Sequence, residues 1–220
     1  GGTQVVLDFV NPAVRDEIWR QLDAAYSSVP RLAYIKWDAN ANIDNVGSTY
    51  LDAAHQANLY FDYTMGYYDV LARQRAKYPD LDMQACSSGG GHMEYGSLRY
   101  CDEFWTSDNT DPRDRVKMQW GASMFYPACA MASHVTVTGR QVPFKYRVDV
   151  SFSGRFGLEM QPKSMSPREL EFAKNAVKEY HRIRPVVQQG DLYRLVSPFE
   201  HDYSALMYVN EEKSRAVVCM

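Results

Sequence analysis

The sequence lacks any run of about 18 apolar residues, so nothing in it reads as a helix that spans a bilayer. It also lacks an excess of charge of either sign: 24 basic and 27 acidic residues leave a formal net charge of −3. That balance gives no electrostatic basis for nucleic acid or for an anionic membrane surface as a partner. Cysteine is scarce, with four in 220 residues. Cys86, Cys101, Cys129 and Cys219 fit no zinc spacing, and a chain of this size needs no disulfide framework. A reduced compartment, cytoplasmic rather than periplasmic, is the expectation. An initiator Met is missing too. The chain opens on Gly1-Gly2-Thr3-Gln4 ahead of an apolar run. It reads as cut from something longer, so the lack of a leader says little about export. No internal repeat or low-complexity segment occurs.

What is present is a core and many aromatics. The hydrophobic share of 45% suffices for one domain, or one domain and a piece of a second. There are 16 Tyr, 9 Phe and 4 Trp. Tyr and Trp pair a flat apolar face with a polar edge, as sugars do, although such residues also fill cores.

Strand and helix patterns alternate along most of the chain. Strands are expected at Val5 to Val10, Leu32 to Asp38, Asp82 to Cys86, Phe104 to Asp108, Ala130 to Val137 and Arg155 to Met160. Helices are expected from Ala13 to Tyr26, Tyr50 to Tyr78, Asp114 to Tyr126 and Gln141 to Ser153. A further helix starts at Ser166-Pro167-Arg168-Glu169, with Ser at the cap and Glu three after it. It should stop near Ile183, before Pro185. Alternation of this kind predicts an α/β fold with a parallel sheet, either doubly wound or a partial (β/α)8 TIM barrel. Polar residues at the ends of several strands favour the barrel, where strand ends converge on one site. A doubly wound nucleotide-binding domain would need a Gly-rich loop after the first strand, and none is there. Beyond Pro185 the pattern becomes antiparallel: Asp191 to Val196, Ser204 to Val209 and Arg215 to Met220, with a turn at Asn210 to Lys213. We expect residues 1–187 to be the C-terminal portion of a barrel and residues 188–220 the start of a β domain.

Three segments carry candidate chemistry. Lys36 and Asp38 are two apart on a strand and share one face. A nearby cation favours an ionised Asp38, which suits a nucleophile. An interior salt bridge explains the pair equally well. Asp108 follows Trp105-Thr106-Ser107, and a carboxylate beside aromatics can act as an acid. Helix capping is the other reading, but Asp111 is the better cap because Pro112 then falls at the first helical position. Two carboxylates on different barrel strands suggest glycoside hydrolysis. The third segment is Cys86-Ser87-Ser88-Gly89-Gly90-Gly91, whose glycines let backbone approach a ligand closely. It ends in His92 rather than the Gly-Lys-Ser/Thr of a phosphate loop. It lacks the Gly-x-Ser-x-Gly elbow of a serine hydrolase. Cys86 near His92 fits a structural thiol better than a metal ligand or nucleophile. His55, His134, His181 and His201 form no ligand set, although His134 could line a pocket.

Lys36-Trp37-Asp38-Ala39-Asn40, Cys86-x-x-Gly89-Gly90-Gly91 and Trp105-Thr106-Ser107-Asp108-Asn109-Thr110-Asp111 occur in this order. Met118 to Gly121, Ser133 to Val135 and Gly154 to Gly157 follow. Together they resemble the α-galactosidases of glycoside hydrolase family 36 over nearly the whole chain. The resemblance implies a (β/α)8 barrel with a following β domain and no metal or organic cofactor. It implies a glycoside hydrolase that removes terminal α-galactosyl residues from α-galactoside oligosaccharides such as raffinose or melibiose, with retention. Asp38 matches the nucleophile and Asp108 the acid/base. Lys36, Trp37, Asn40, Cys86, Gly89, Gly90 and Trp105 match substrate-binding positions. The full-length parent is expected to be a homo-oligomer. Other outcomes for the same scaffold are an α-N-acetylgalactosaminidase, a galactosyl-transferring relative or a non-catalytic carbohydrate-binding remnant. The chain departs from the family pattern at His92 and Glu94, where Arg and Asp are frequent, at Ala41, and at Gly2.

Overall fold

A computed structural model describes residues 5–40, 43–44, 46–139 and 141–220. The departures at Gly2 and Ala41 lie outside the described residues. The chain divides into two compact units, Gly1–Asp102 and Glu103–Met220.

The first unit begins with helix α1, Pro12–Ser27. Asn11 starts it by accepting from the Ala13 N–H, and Pro12 supplies a φ already suited to a helix. Strand β1, Tyr34–Asp38, runs parallel to β2, Asp82–Cys86. Helix α2, Leu59–Lys77, connects them, and a single turn, α3, Tyr95–Leu98, follows β2. Helices α1 and α2 meet through the Tyr26 hydroxyl, which donates to Gln74 Oε1 at 2.8 Å, and the edge-on pair Tyr26–Tyr78.

Two expectations fail here. Val5 to Val10 is not a strand, and Val5 is 79% exposed. An apolar run becomes a strand only where its N–H and C=O groups find a neighbouring strand. Here Asp8 instead accepts from the Val10 N–H and from the Ser48 hydroxyl, which turns the chain. Nor does a helix start at Tyr50. Gln56 donates to the carbonyls of Ser48 and Leu51, and Asp52 accepts from the His55 N–H. Side chains have taken the backbone groups that a helix would need. Only a short 3-10 turn, Gln56–Asn58, precedes α2.

In the second unit β3 (Glu103–Trp105), β4 (Met131–Val135) and β5 (Arg155–Leu158) are parallel. Helix α4, Pro112–Ala122, follows β3, and α5, Phe144–Ser151, follows β4. Asp111 caps α4 by accepting from the Arg113 N–H, as its position before Pro112 predicts. Helix α6, Pro167–Gln189, opens with a complete capping box between Ser166 and Glu169. It leads into an antiparallel sheet of β6 (Asp191–Val196), β7 (Ala205–Val209) and β8 (Ala216–Cys219).

Helix α6 does not stop before Pro185 but continues through it to Gln189. Proline inside a helix costs roughly 3 kcal/mol. The next turn buries Val186 and Val187 in a cluster with Trp120, Tyr180, Ile183, Leu206 and Tyr208. Two buried valines contribute roughly 1.5–3 kcal/mol each, which exceeds that cost. Pro185 itself faces solvent. The balance is testable by urea unfolding of the full-length protein. Val187→Ala should destabilise it by about 2 kcal/mol, while Pro185→Ala should stabilise it. A neutral Val187→Ala would remove the reason given for the continued helix.

Candidate active site

In the first unit the β1–β2 ladder sets Lys36 opposite Gln84, Trp37 opposite Ala85 and Asp38 opposite Cys86. Parallel strands in register bring their C-terminal ends out together. Asp38 is exposed, whereas Cys86 is 1% exposed. The Cys86 thiol reaches Asp38 in a hydrogen bond and accepts one from the backbone of Gly89. Burial pushes this thiol up to about 11, with Lys36 opposing the shift and Asp38 adding to it. Cys86 is therefore a neutral donor toward Asp38 at physiological pH and no thiolate nucleophile.

The turn after β2 is tied to the turn after β1. The Ala39 N–H donates to the Cys86 carbonyl at 3.0 Å, and the Ser87 hydroxyl donates to the Ala39 carbonyl at 2.6 Å. The Ser88 N–H donates to Asn40 Oδ1 at 2.6 Å. Ser88 and Gly89 have φ values of 47° and 86°. The left-handed region costs a non-glycine residue roughly 1–2 kcal/mol, and the Asn40 hydrogen bond offsets part of that at Ser88. A Cβ on Gly91 would lie 2.6 Å from the Ser87 carbonyl oxygen, so that position needs glycine. Lys36, Trp37, Asp38, Asn40, Ser87 and His92 all line a cavity of about 720 Å³.

The two departures after the glycine run both have partners within the protein, and His92 also borders the cavity. Glu94 caps α3 by accepting from the Ser97 N–H and also accepts from the Tyr68 hydroxyl at 2.9 Å. His92 stacks on Tyr67 at 4.5 Å between ring centroids, and burial lowers its pKa below the usual value. Tyr67 also packs edge-on against Trp37 at 6.1 Å. One aromatic stack thus underlies the strand that carries Asp38.

In the second unit β3 ends at Trp105, and Asp108 lies beyond it on the loop leading to α4. The Trp105 indole N–H donates to Asp108 Oδ1 at 3.1 Å. Trp105 is 2% exposed, with the Arg115 guanidinium 5.2 Å and the His134 ring 5.0 Å from its ring. Its indole N–H ties it to Asp108. His134 Nδ1 pairs with Glu159 Oε1 at 2.8 Å. A Cβ on Gly157, the strand partner of His134, would come within 2.5 Å of that ring. Arg155 pairs with the buried Glu103 at 2.6 Å across this sheet. Arg115 and Glu159 are residues that sequence reasoning passed over, whereas His134 was read as a possible pocket residue and pairs with Glu159. The signal was present: the Asp111-Pro112 start fixes the phase of α4, and Arg115 and Gln119 then share one face a turn apart.

Both units therefore carry acidic side chains at or just past the ends of parallel strands that alternate with helices, and an antiparallel sheet follows. These features define a segment of a (β/α)8 barrel with the beginning of a β domain. The family model described as Melibiase matches residues 1–190. The chain is 36% identical over 223 residues to the α-galactosidase AgaA of Geobacillus stearothermophilus, covering 99% of this chain and 30% of that protein. It is 38% identical over 220 residues to the α-galactosidase Mel36A of Lactobacillus acidophilus, covering 98% of this chain and 30% of that protein. Crystal structures of AgaA variants from glycoside hydrolase family 36, in complex with stachyose and with raffinose, align with a TM-score of 0.94. They share 36% identity over 99% of this chain and 31% of theirs. The chain belongs to the Melibiase family and spans about a third of the length of these relatives.

Two measurements test this geometry. Cys86 should resist iodoacetamide in the folded full-length protein at pH 8, where a thiol titrating near 11 is about one part in a thousand thiolate. Rapid alkylation of the Cys86 peptide at that pH, read by mass spectrometry, would contradict its burial against Asp38. His92 has a depressed pKa when folded, so on acidification the unfolded chain takes up a proton that the folded one refuses. Its contribution to stability is full above about pH 6.5 and falls as pH drops below that value. His92→Phe should flatten the slope of Tm against pH between about 6.5 and 5, and an unchanged slope would count against the buried neutral imidazole.

Proposed function

We propose that the full-length protein carrying this chain is a retaining α-galactosidase that acts on terminal α-galactosyl groups of oligosaccharides such as raffinose and stachyose. The observation that carries the reading is the alignment of nearly the whole chain with an α-galactosidase solved with those sugars, together with Asp38 and Asp108 at its strand ends. In this reading residues 1–187 belong to the catalytic barrel and residues 188–220 open the following β domain.

Asp38 is the nucleophile. Its carboxylate oxygen attacks the anomeric carbon, and the bond to the leaving oxygen breaks as Asp108 delivers a proton to that oxygen. The product is a galactosyl ester on Asp38 and an ionised Asp108. Asp108 then takes a proton from water as the water oxygen attacks the anomeric carbon, releasing galactose and restoring both carboxyl groups. Two inversions give net retention.

Lys36 and Asn40 hydrogen-bond sugar hydroxyls beside Asp38. Trp37 borders the same cavity. Gly89, in the left-handed turn, and Gly90 after it bring backbone close to the sugar because neither carries a side chain. Cys86, opposite Asp38 in the ladder, borders the sugar as a neutral thiol.

Turnover of p-nitrophenyl α-galactoside by the full-length protein is the first test. Asp38→Ala should lower the rate by at least about 10³-fold, and azide should restore product of inverted configuration. Asp108→Ala should slow substrates with poor leaving groups far more than the nitrophenyl substrate. Substantial activity in Asp38→Ala would overturn the assignment.

A further inference from the structure

We propose that Arg115 is a positioning residue for the acid/base, holding Asp108 through the main chain and through Trp105 at once. This inference rests on the assignment of Asp108 as acid/base. Arg115 is 3% exposed on the first turns of α4. Its Nη1 donates to the Ser107 carbonyl at 3.1 Å, at the peptide bond that leads into Asp108. Its Nη2 donates to the Ala132 carbonyl of β4 at 2.8 Å, and its Nε donates to Gln119 Oε1 at 3.1 Å. The guanidinium plane also lies over Trp105, whose N–H holds Asp108 Oδ1. One buried cation thus holds the carbonyl preceding Asp108 and packs on the indole that donates to the Asp108 carboxylate.

The three hydrogen-bond acceptors are uncharged, so burial opposes the cation and lowers its pKa to about 10, with the Glu159 carboxylate countering part of the shift. Structural arginines in cores are more often paired with carboxylates. Fixing three strand and loop carbonyls needs only the rigid fork of donors. The charge adds something more: a cation over an indole face draws electron density from the ring and strengthens its N–H as a donor to a carboxylate. Gln119 extends the frame by donating to the Val150 carbonyl at 3.0 Å and to Ser153 Oγ at 2.7 Å and by accepting from the Ser133 hydroxyl at 2.8 Å. Asp108 therefore stands on a loop whose base is fixed to α4, β4 and the α5–β5 connection.

The test compares two substrates of the full-length protein, raffinose and p-nitrophenyl α-galactoside, because only the first needs its leaving oxygen protonated. Arg115→Met should reduce kcat/KM for raffinose about 10- to 100-fold and for the nitrophenyl substrate by less than about threefold. Trp105→Phe, which removes the indole N–H together with part of the ring, should show the same selectivity in smaller measure, and it serves where Arg115→Met does not fold. Arg115→Lys should recover only part of the loss, since an ammonium cannot reproduce the fork. Equal losses on both substrates, or none on either, in Arg115→Met and Trp105→Phe would overturn the inference. Asp108→Ala runs alongside. If it is selective and the other variants are not, the positioning role alone fails. If it is not selective, the acid/base assignment fails with it.

Discussion

The parallel ladder between Tyr34–Asp38 and Asp82–Cys86 sets Asp38 opposite Cys86, and the chemistry of the first unit depends on that register. A slip of one residue would turn Lys36 and Asp38 to the other face of the strand. It would also separate the two turns that follow. Those turns hold each other through the Ala39 N–H, the Ser87 hydroxyl and the Asn40 side chain. Because these bonds join turn to turn, the left-handed Ser88–Gly89 segment is fixed where Asp38 emerges. The neutral Cys86 thiol then presents a donor to the carboxylate without competing as a nucleophile.

The second unit solves the same problem with a different device. Asp108 lies past the end of its strand, where no ladder can hold it. A buried arginine and a buried tryptophan do so instead, and both depend on the helix that Asp111 caps. Further along, Tyr180 and Tyr208 donate their hydroxyls to the carbonyls of Gly154 and Ser153 at the start of β5. The antiparallel sheet is thereby fastened to the barrel strands through α6, which explains why this helix runs on past Pro185.

Much of this was legible in the sequence where the signal is local. Asn11-Pro12, Asp111-Pro112 and the Ser166–Glu169 box are caps whose residue types satisfy backbone groups within four positions, and each starts a helix where expected. Strand β2 matches its expected bounds because four of its five residues are buried. The misreadings came from side chains that take backbone groups, as at Tyr50, or from partners remote in sequence. Val5 to Val10 has strand composition, but a strand is a pairing and the segment bonds elsewhere. Pro185 is a helix breaker by local rules, overridden by a core assembled from β7 and α4. Lys36 and Asp38 were readable as a pair on one face, whereas the burial of Trp105 and the reach of Arg115 depend on α4 folding back over β3 and β4. Glu94 and His92 are read from the sequence as departures in a ligand loop; their bonds and stacking with Ser97, Tyr68 and Tyr67 depend on α2 and α3 and were not legible there.

In the proposed mechanism Asp38 forms the covalent bond to the sugar. Incubation of the full-length protein with a 5-fluoro-α-galactosyl fluoride, followed by proteolysis and mass spectrometry, tests it most directly. The fluorine slows hydrolysis of the glycosyl ester, so the intermediate accumulates. A fluorogalactosyl mass is expected on the peptide containing Asp38 and on no other. Label on Asp108 or on Cys86, or continued turnover with no label on any peptide, would contradict it.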